Sequence, residues 1–511
     1  MKILLITIFC VCMFCLLSWG FSGQFRLNDL KPTAILKTEV FCSTESPEII
    51  ALPEFFRTST YHPGSAESKH IRKDVSSLTP QDSIVISLKK GIAVMKSRSK
   101  TDPTSWSYQA AIHGTLATPL LTGWNSCTHS SEFFLSWHRM YLYFFERIMR
   151  KASGDKNFAL PYWDWSSPDE RNIPLIFRQP GRTSLNPLFI KSRDSVMNKG
   201  GLLPKSTTQR DVLAAMETTT MLSADDSDDL PAFNNKIESV HGSIHVAVGG
   251  VGGLMHNIKT AAQDPIFWMH HCNIDHIWER WMREKNPVMP DKNDPWMTKS
   301  FSFFDENGKA VKMSGKDIVD IARQLDYKYD DVNIKPETTD KELPPPIVMS
   351  HAPTAPPIVV AVSTNVYLSA DKNIITLSPT IKKDQVNLES GKFILVFEKI
   401  KLKGWANGVF EIYVNQNPNE TPDPDSINYV GSVHFFGLNE ENSNKDSHHE
   451  KIKNQRFDAT KAIRDYLKNN NGQLSDLKVT IYHRLPEFED KSAMQKLSVR
   501  ATVGLVKLVK R

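Results

Sequence analysis

The chain has 511 residues, 40% of them hydrophobic and 23% charged, which is enough to bury a large core and fill two domains of ordinary size. Its 62 basic and 57 acidic side chains leave a formal net charge of +5. The two signs are mixed along the chain with no arginine-rich stretch, which argues against a nucleic-acid partner.

At the amino terminus, Lys2 precedes an apolar run from Ile3 to Leu17, and small residues follow at Gly20, Ser22 and Gly23. This pattern predicts a secretory signal peptide over 1–23, a mature chain from Gln24, and an extracellular or vacuolar destination. The apolar run is shorter than the roughly 20 residues of a membrane span, and no later segment is apolar enough to cross a bilayer. Cys10, Cys12 and Cys15 would leave with the signal, so the mature chain keeps Cys42, Cys127 and Cys272, an odd number in an oxidising compartment.

From Ile71 to about Tyr329 the apolar positions recur mainly with helical spacing, as in Phe133 to Met149 and Ile277 to Met282. Pro344-Pro345-Pro346 and Pro353 to Pro357 then break any helix or central strand. Beyond them come short strand-like runs, Phe393 to Phe397, Phe410 to Val414, Val479 to Tyr482 and Val499 to Val506. The expected architecture is mainly α: a four-helix-bundle domain over 24–339, a linker over 340–357, and a smaller β-sandwich domain over 358–511. Asn419-Glu420-Thr421 is a glycosylation sequon followed by Pro422, and Asn439 to Gln455 reads as a polar surface insertion.

Nine of the sixteen histidines fall between His113 and His276. His113, His129 and His138 form one group, and His241, His245 and the pair His270-His271 form a second. Histidines four apart lie one turn apart on the same face of a helix, so His241 and His245 can grip one ion while His271 closes the site from the next helix. Imidazole suits copper, zinc, iron and nickel, and spacing alone does not choose among them. Two such sites on facing helices would make a buried dinuclear centre.

Around these histidines the sequence resembles the type 3 copper superfamily of tyrosinases, catechol oxidases and hemocyanins. The resemblance covers Arg72 to about Tyr329. It is most specific at Phe133 to Glu146, at Phe158-Ala159-Leu160-Pro161-Tyr162-Trp163-Asp164-Trp165, and at Asp264 to Asp275. It implies two copper ions, copper A held by His113, His129 and His138, and copper B by His241, His245 and His271. His270 and His256 are then not ligands. It also implies a thioether between Cys127 and His129, which would account for one odd thiol. Phe267 is expected to pack behind the copper B ligand, and Asp275 to orient a ligand helix. Arg72, Tyr327 and Tyr329 resemble the residues that tie together the ends of the catalytic domain. His276 stands where the family usually has arginine, and Cys272 where it has a small residue. Lys392 to Glu398 and Phe410 to Asn415 resemble the carboxy-terminal domain of plant polyphenol oxidases, whose serine-rich plastid transit segment has no counterpart here.

The implied activity is oxidation of o-diphenols to o-quinones with dioxygen, with monophenol hydroxylation as a possible second reaction. Two metal ions supply the two electrons dioxygen needs, and a catechol returns two electrons and two protons, so no organic cofactor is expected. Glu238, three residues before His241, resembles the family glutamate that positions a water as base for monophenols. Its usual asparagine partner is replaced by Gly242, which tilts the expectation toward diphenol oxidation. The carboxy-terminal domain is expected to cover the cleft until the linker is cut. The competing class is an oxygen carrier of the hemocyanin kind, which shares the ligands but shuts substrates out.

Overall fold

The computed structural model describes residues 68–179, 186–223, 231–331, 357–368, 371–381, 387–403, 408–437, 454–487 and 500–511. The expected signal peptide, Cys42, nearly all of the linker and most of the polar insertion lie outside these residues.

The first half is built on a short strand and five principal helices: β1 (His70–Arg72), α1 (Ser83–Ser97), α2 (Trp106–His113), α3 (Phe134–Ser153), α4 (Phe233–Gly249) and α5 (Pro265–Lys285). The sequence marks several of their starts. The Ser105 side chain accepts from Tyr108 N–H at the head of α2. Asp264 accepts from Ile266 N–H ahead of Pro265, which opens α5 where its missing N–H costs nothing. Helix α3 packs against α1, α4 and α5, and its buried face runs almost unbroken from Phe134 to Met149. It extends one turn beyond the stretch expected from periodicity, to Ser153.

One part of this half departs from the helical expectation. Ser300–Phe304 (β2) and Ala310–Ser314 (β3) form an antiparallel hairpin that pairs Phe301 with Met313 and Phe303 with Val311. Period-two alternation over five residues is too short a signal to stand out among helices. Tyr327–Tyr329 (β4) then pairs in parallel with β1, with Arg72 opposite Tyr329, so the two ends of the helical region lie side by side.

That seam carries a buried ionic network. Arg72 donates to Glu146 at 2.9 Å, to Asp275 at 3.1 Å and to Tyr329 at 3.1 Å. Asp275 also accepts from Arg139 at 2.5 Å and from the hydroxyls of Tyr327 and Tyr329, each at 2.6 Å. Paired and fully hydrogen-bonded, these charges tolerate burial that would be prohibitive for any one alone. They fix α3 and α5, the two helices that carry His138 and His271. His276 is buried and bonded to Asn273 and Asp331.

The second half is two sheets and a helix. The first sheet has the order β10 (Tyr429–Val433), β9 (Val409–Val414), β12 (Lys478–Arg484), β6 (Lys372–Thr376). The second has the order β11 (Gln455–Asp458), β8 (Phe393–Lys403), β13 (Arg500–Lys510), β5 (Ile358–Leu368), β7 (Ser378–Pro379). Alternation along β8 sends Phe393, Leu395 and Phe397 into the core shared with Phe410, Ile412, Val479 and Ile481, as a sandwich requires. Helix α6 (Thr460–Asn469) packs on β8.

Candidate metal centre

The histidines named from the sequence converge. His113 ends α2, His129 lies in the loop before α3, and His138 sits one turn into α3. His241 and His245 stand one turn apart on α4, and His271 is on α5. All six are buried, His129 being the most exposed at 6%. The ligand atoms of His113, Cys127, His129 and His138 lie within 4.8 Å of one another, as do those of His241, His245, His270 and His271. The two groups face each other: the His138 and His271 rings stack at 4.4 Å, and those of His129 and His241 at 5.6 Å.

Backbone carbonyls decide which ring nitrogen is offered inward. Nδ1 of His113 donates to Ile258 O at 3.0 Å, that of His138 to Phe134 O at 2.7 Å, and that of His245 to Met255 O at 2.8 Å. With the proton held on Nδ1, a neutral ring presents the Nε2 lone pair to the centre. Gly114 makes the first of these contacts possible, since a Cβ there would lie 2.4 Å from the Ile258 oxygen. In the second group, Nε2 of His245 and His271 approach to 3.4 Å.

His270 differs in kind. The Trp165 indole N–H donates to its Nδ1 at 3.0 Å. Because indole only donates, the neutral His270 ring must carry its proton on Nε2, leaving no lone pair there for a metal. This contact separates two adjacent histidines that spacing cannot tell apart. His256 is buried but belongs to neither group.

The electrostatics suit a cation. Burial drives His113, His241, His245 and His271 well below the usual histidine range, aided by repulsion from neighbouring rings, and brings His138 down to about 3. The rings are therefore neutral at ordinary pH. Nε2 of His113, both nitrogens of His241 and Nδ1 of His271 are buried and make no hydrogen bond among the described residues. Each such atom costs about 1–3 kcal/mol. A neutral ring offers one lone pair, so metal ions accepting one from each ring would remove part of that cost, and the donor set fits a pair of imidazole-bound metals.

Cys127 Sγ lies 3.4 Å from Nδ1 and 3.8 Å from Nε2 of His129, and 3.4 Å from Nε2 of His138. Cε1 is the ring carbon between those two nitrogens of His129, so the sulfur faces that edge. Phe267 packs against His271 at 4.2 Å and His113 at 4.8 Å, one ring from each group. Glu238 is half-buried one turn before His241 and accepts from Ser130 N–H at 2.5 Å. Burial pushes its carboxyl up to about 8.

Three neighbours of the centre escaped the sequence reading: Trp165, Phe134 and Phe436. Phe134 lies within 4.7 Å of His138 and 4.8 Å of His241. Phe436, just after β10, stacks on His245 at 4.2 Å with 17° between the rings, and lies 5.6 Å from His241 and 5.9 Å from His129. A cavity of about 710 Å³ opens between the two halves, with His129, Glu238 and His241 on one wall and Ser432, His434 and Phe436 on the other. Phe436 lies in none of the strand-like runs read from the sequence, and nothing local marks it as meeting the histidines.

Three family models match the chain in succession. The common central domain of tyrosinase matches residues 103–214 and 201–284, the polyphenol oxidase middle domain 291–338, and a domain of unknown function 358–500. A tyrosinase of Hahella sp. (strain CCB-MM4) is 29% identical over 408 residues, which are 68% of this chain and 82% of its own. The chloroplastic latent-form polyphenol oxidase of Prunus armeniaca is 26% identical over 391 residues, 69% of this chain and 64% of its own. Among solved structures, latent apple tyrosinase shares the fold with a TM-score of 0.56 at 23% identity, over 88% of this chain and 99% of that one.

Proposed function

The chain belongs to the type 3 copper family of tyrosinases and polyphenol oxidases, and from that premise we propose that it oxidises o-diphenols to o-quinones in a cleft its own carboxy-terminal half keeps shut. The cofactor is a pair of copper ions. His113, His129 and His138 hold copper A, and His241, His245 and His271 hold copper B. When bound, the copper pair would supply two-electron redox chemistry between a phenolic substrate and dioxygen. The observation that carries this reading is the convergence of six buried imidazoles from separate elements on one centre.

The remaining residues position and gate. Hydrogen bonds to Ile258, Phe134 and Met255 orient three of the rings, and Phe267 wedges one ring of each triad in place. Cys127 is set to bond to Cε1 of His129. Forming that thioether removes one hydrogen from sulfur and one from the ring, with two electrons passing to dioxygen. The resulting peptide would be two hydrogen atoms lighter, a difference mass spectrometry reads.

Glu238 would take the phenolic proton from a monophenol, but in the closed chain its carboxyl is protonated up to about pH 8. Gly242 beside His241 offers no side chain to hold the water. Diphenol oxidation, which makes less demand on a base, is therefore the favoured reaction. Any monophenol hydroxylation by the uncut chain should rise as pH passes through about 8, and Glu238→Gln should flatten that rise while leaving diphenol turnover largely intact.

Phe436 fills the place a substrate ring would take, which favours a closed form opened by cutting the 340–357 linker. The predicted leader over 1–23 favours the secretory route, although the apricot relative's name assigns it to the chloroplast. The deciding experiment measures copper content and catechol oxidation before and after proteolysis of the linker. Two copper ions per chain, and turnover that rises at least about tenfold (~1.4 kcal/mol) on cutting, are expected. Copper and oxygen binding with no turnover after cutting would instead indicate an oxygen carrier, and absence of copper would end the assignment.

A further inference from the structure

We propose that Gly242 is a socket in α4, that the His434 imidazole is the key seated in it, and that this fit locks the carboxy-terminal half over the dicopper cleft. The inference rests on the closed-cleft reading of Phe436 above. A Cβ added at Gly242 would lie 2.2 Å from Cε1, 2.5 Å from Nδ1 and 2.7 Å from Nε2 of His434. All three atoms belong to one edge of a rigid ring, so the imidazole enters edge-on and has no flexible end that could yield. Even a methyl group at position 242 must therefore expel it.

The key is itself held firmly. His434 is buried, its Nδ1 accepts from Phe436 N–H at 3.2 Å, and its carbonyl accepts from the Gln455 amide at 3.0 Å. The first of these bonds ties the lock to the plug: the group that fills the socket also fixes the backbone of the residue stacked on His245. Displacing the imidazole should withdraw Phe436 with it. Nearby contacts hold the same strand in register, since Tyr429 donates to Asp211 at 2.8 Å and Ser432 donates to Asp211 at 2.5 Å.

The geometry also accounts for the bare position after the first copper B histidine. Residue 242 lies one helical turn from Glu238 on the same face of α4, where a side chain could have supported the base. The closed form needs that volume for His434. Once the lock opens, a space the size of an imidazole is left beside Glu238 and His241, so the open cleft should accept phenols with bulky ring substituents.

The test uses the full chain loaded with copper. Diphenol turnover of each variant is normalised to the same variant after linker cleavage, and hydrogen–deuterium exchange is followed over 429–436 with and without copper. Gly242→Ala should raise uncut turnover at least tenfold toward the cut value and speed exchange over that strand. His434→Gly added to Gly242→Ala should raise uncut turnover no further, because both changes remove the same fit and the Phe436 N–H bond to the ring. Should Gly242→Ala fail to fold, His434→Ala opens the lock from the other side without touching α4. If cutting does not activate the wild type, the closed-cleft reading falls. If cutting activates it while Gly242→Ala stays latent with unchanged exchange, or the double variant is clearly more active uncut than Gly242→Ala alone, the lock is wrong and the closed cleft stands.

Discussion

Beneath the six histidines, Arg72 and Glu146 are completely buried and Asp275 is 3% exposed, each with several charged or hydroxyl partners. Above them the carboxy-terminal half is held by contacts of another kind. Lys205 and Asp425, one of its ion pairs to the helical half, are each 45% exposed, and its other contacts include two backbone bonds between Leu202 and Glu487, the hydroxyls on Asp211, and the rings of His434 and Phe436. Floor and roof thus use opposite energetics. Removing one partner from the floor strands a charge without water, whereas an exposed roof pair such as Lys205–Asp425 can be exchanged for solvent at little cost. A centre that must hold metal in a fixed geometry and still admit a substrate calls for both.

The sharpest way to break this contrast is in the floor. Asp275→Asn leaves Arg72 and Arg139 buried with their shared countercharge gone, and should lower unfolding stability by about 3–5 kcal/mol, read by chemical denaturation. A loss below 1 kcal/mol would mean that the floor network holds nothing in place. In the roof, Phe436→Ala removes the stacked ring and should raise diphenol turnover of the uncut chain roughly tenfold, equivalent to about 1.4 kcal/mol. The cut enzyme should barely respond. At the small end, Lys205→Ala should change uncut turnover less than about threefold, or under 1 kcal/mol, and the difference should vanish in high salt.

The sequence was most legible where function depends on local spacing. His241 and His245 could be read as helical neighbours because a helix repeats every four residues or so, and the proline clusters and strand-like runs announced a change of architecture. Legibility failed where partners are distant along the chain. Nothing near His270 and His271 shows which of them faces the metals, since the answer lies in the indole of Trp165. Gly242 read as a missing catalytic partner, whereas the structure adds a neighbour, His434, that no spacing rule connects to it. The β2–β3 hairpin was overlooked because five alternating residues are a weak signal inside a helical stretch.

The parallel pairing of β1 with β4 has a consequence for how the chain is made. Arg72 emerges early in synthesis, yet two of its partners, Tyr327 and Tyr329, arrive only when most of the helical half has been translated. That half can close around its metals as soon as residue 329 is out, before a single strand of the sandwich exists. Every residue proposed to hold the metals, and the network beneath them, is thus translated before any strand of the sandwich, so metal loading need not wait for the lid.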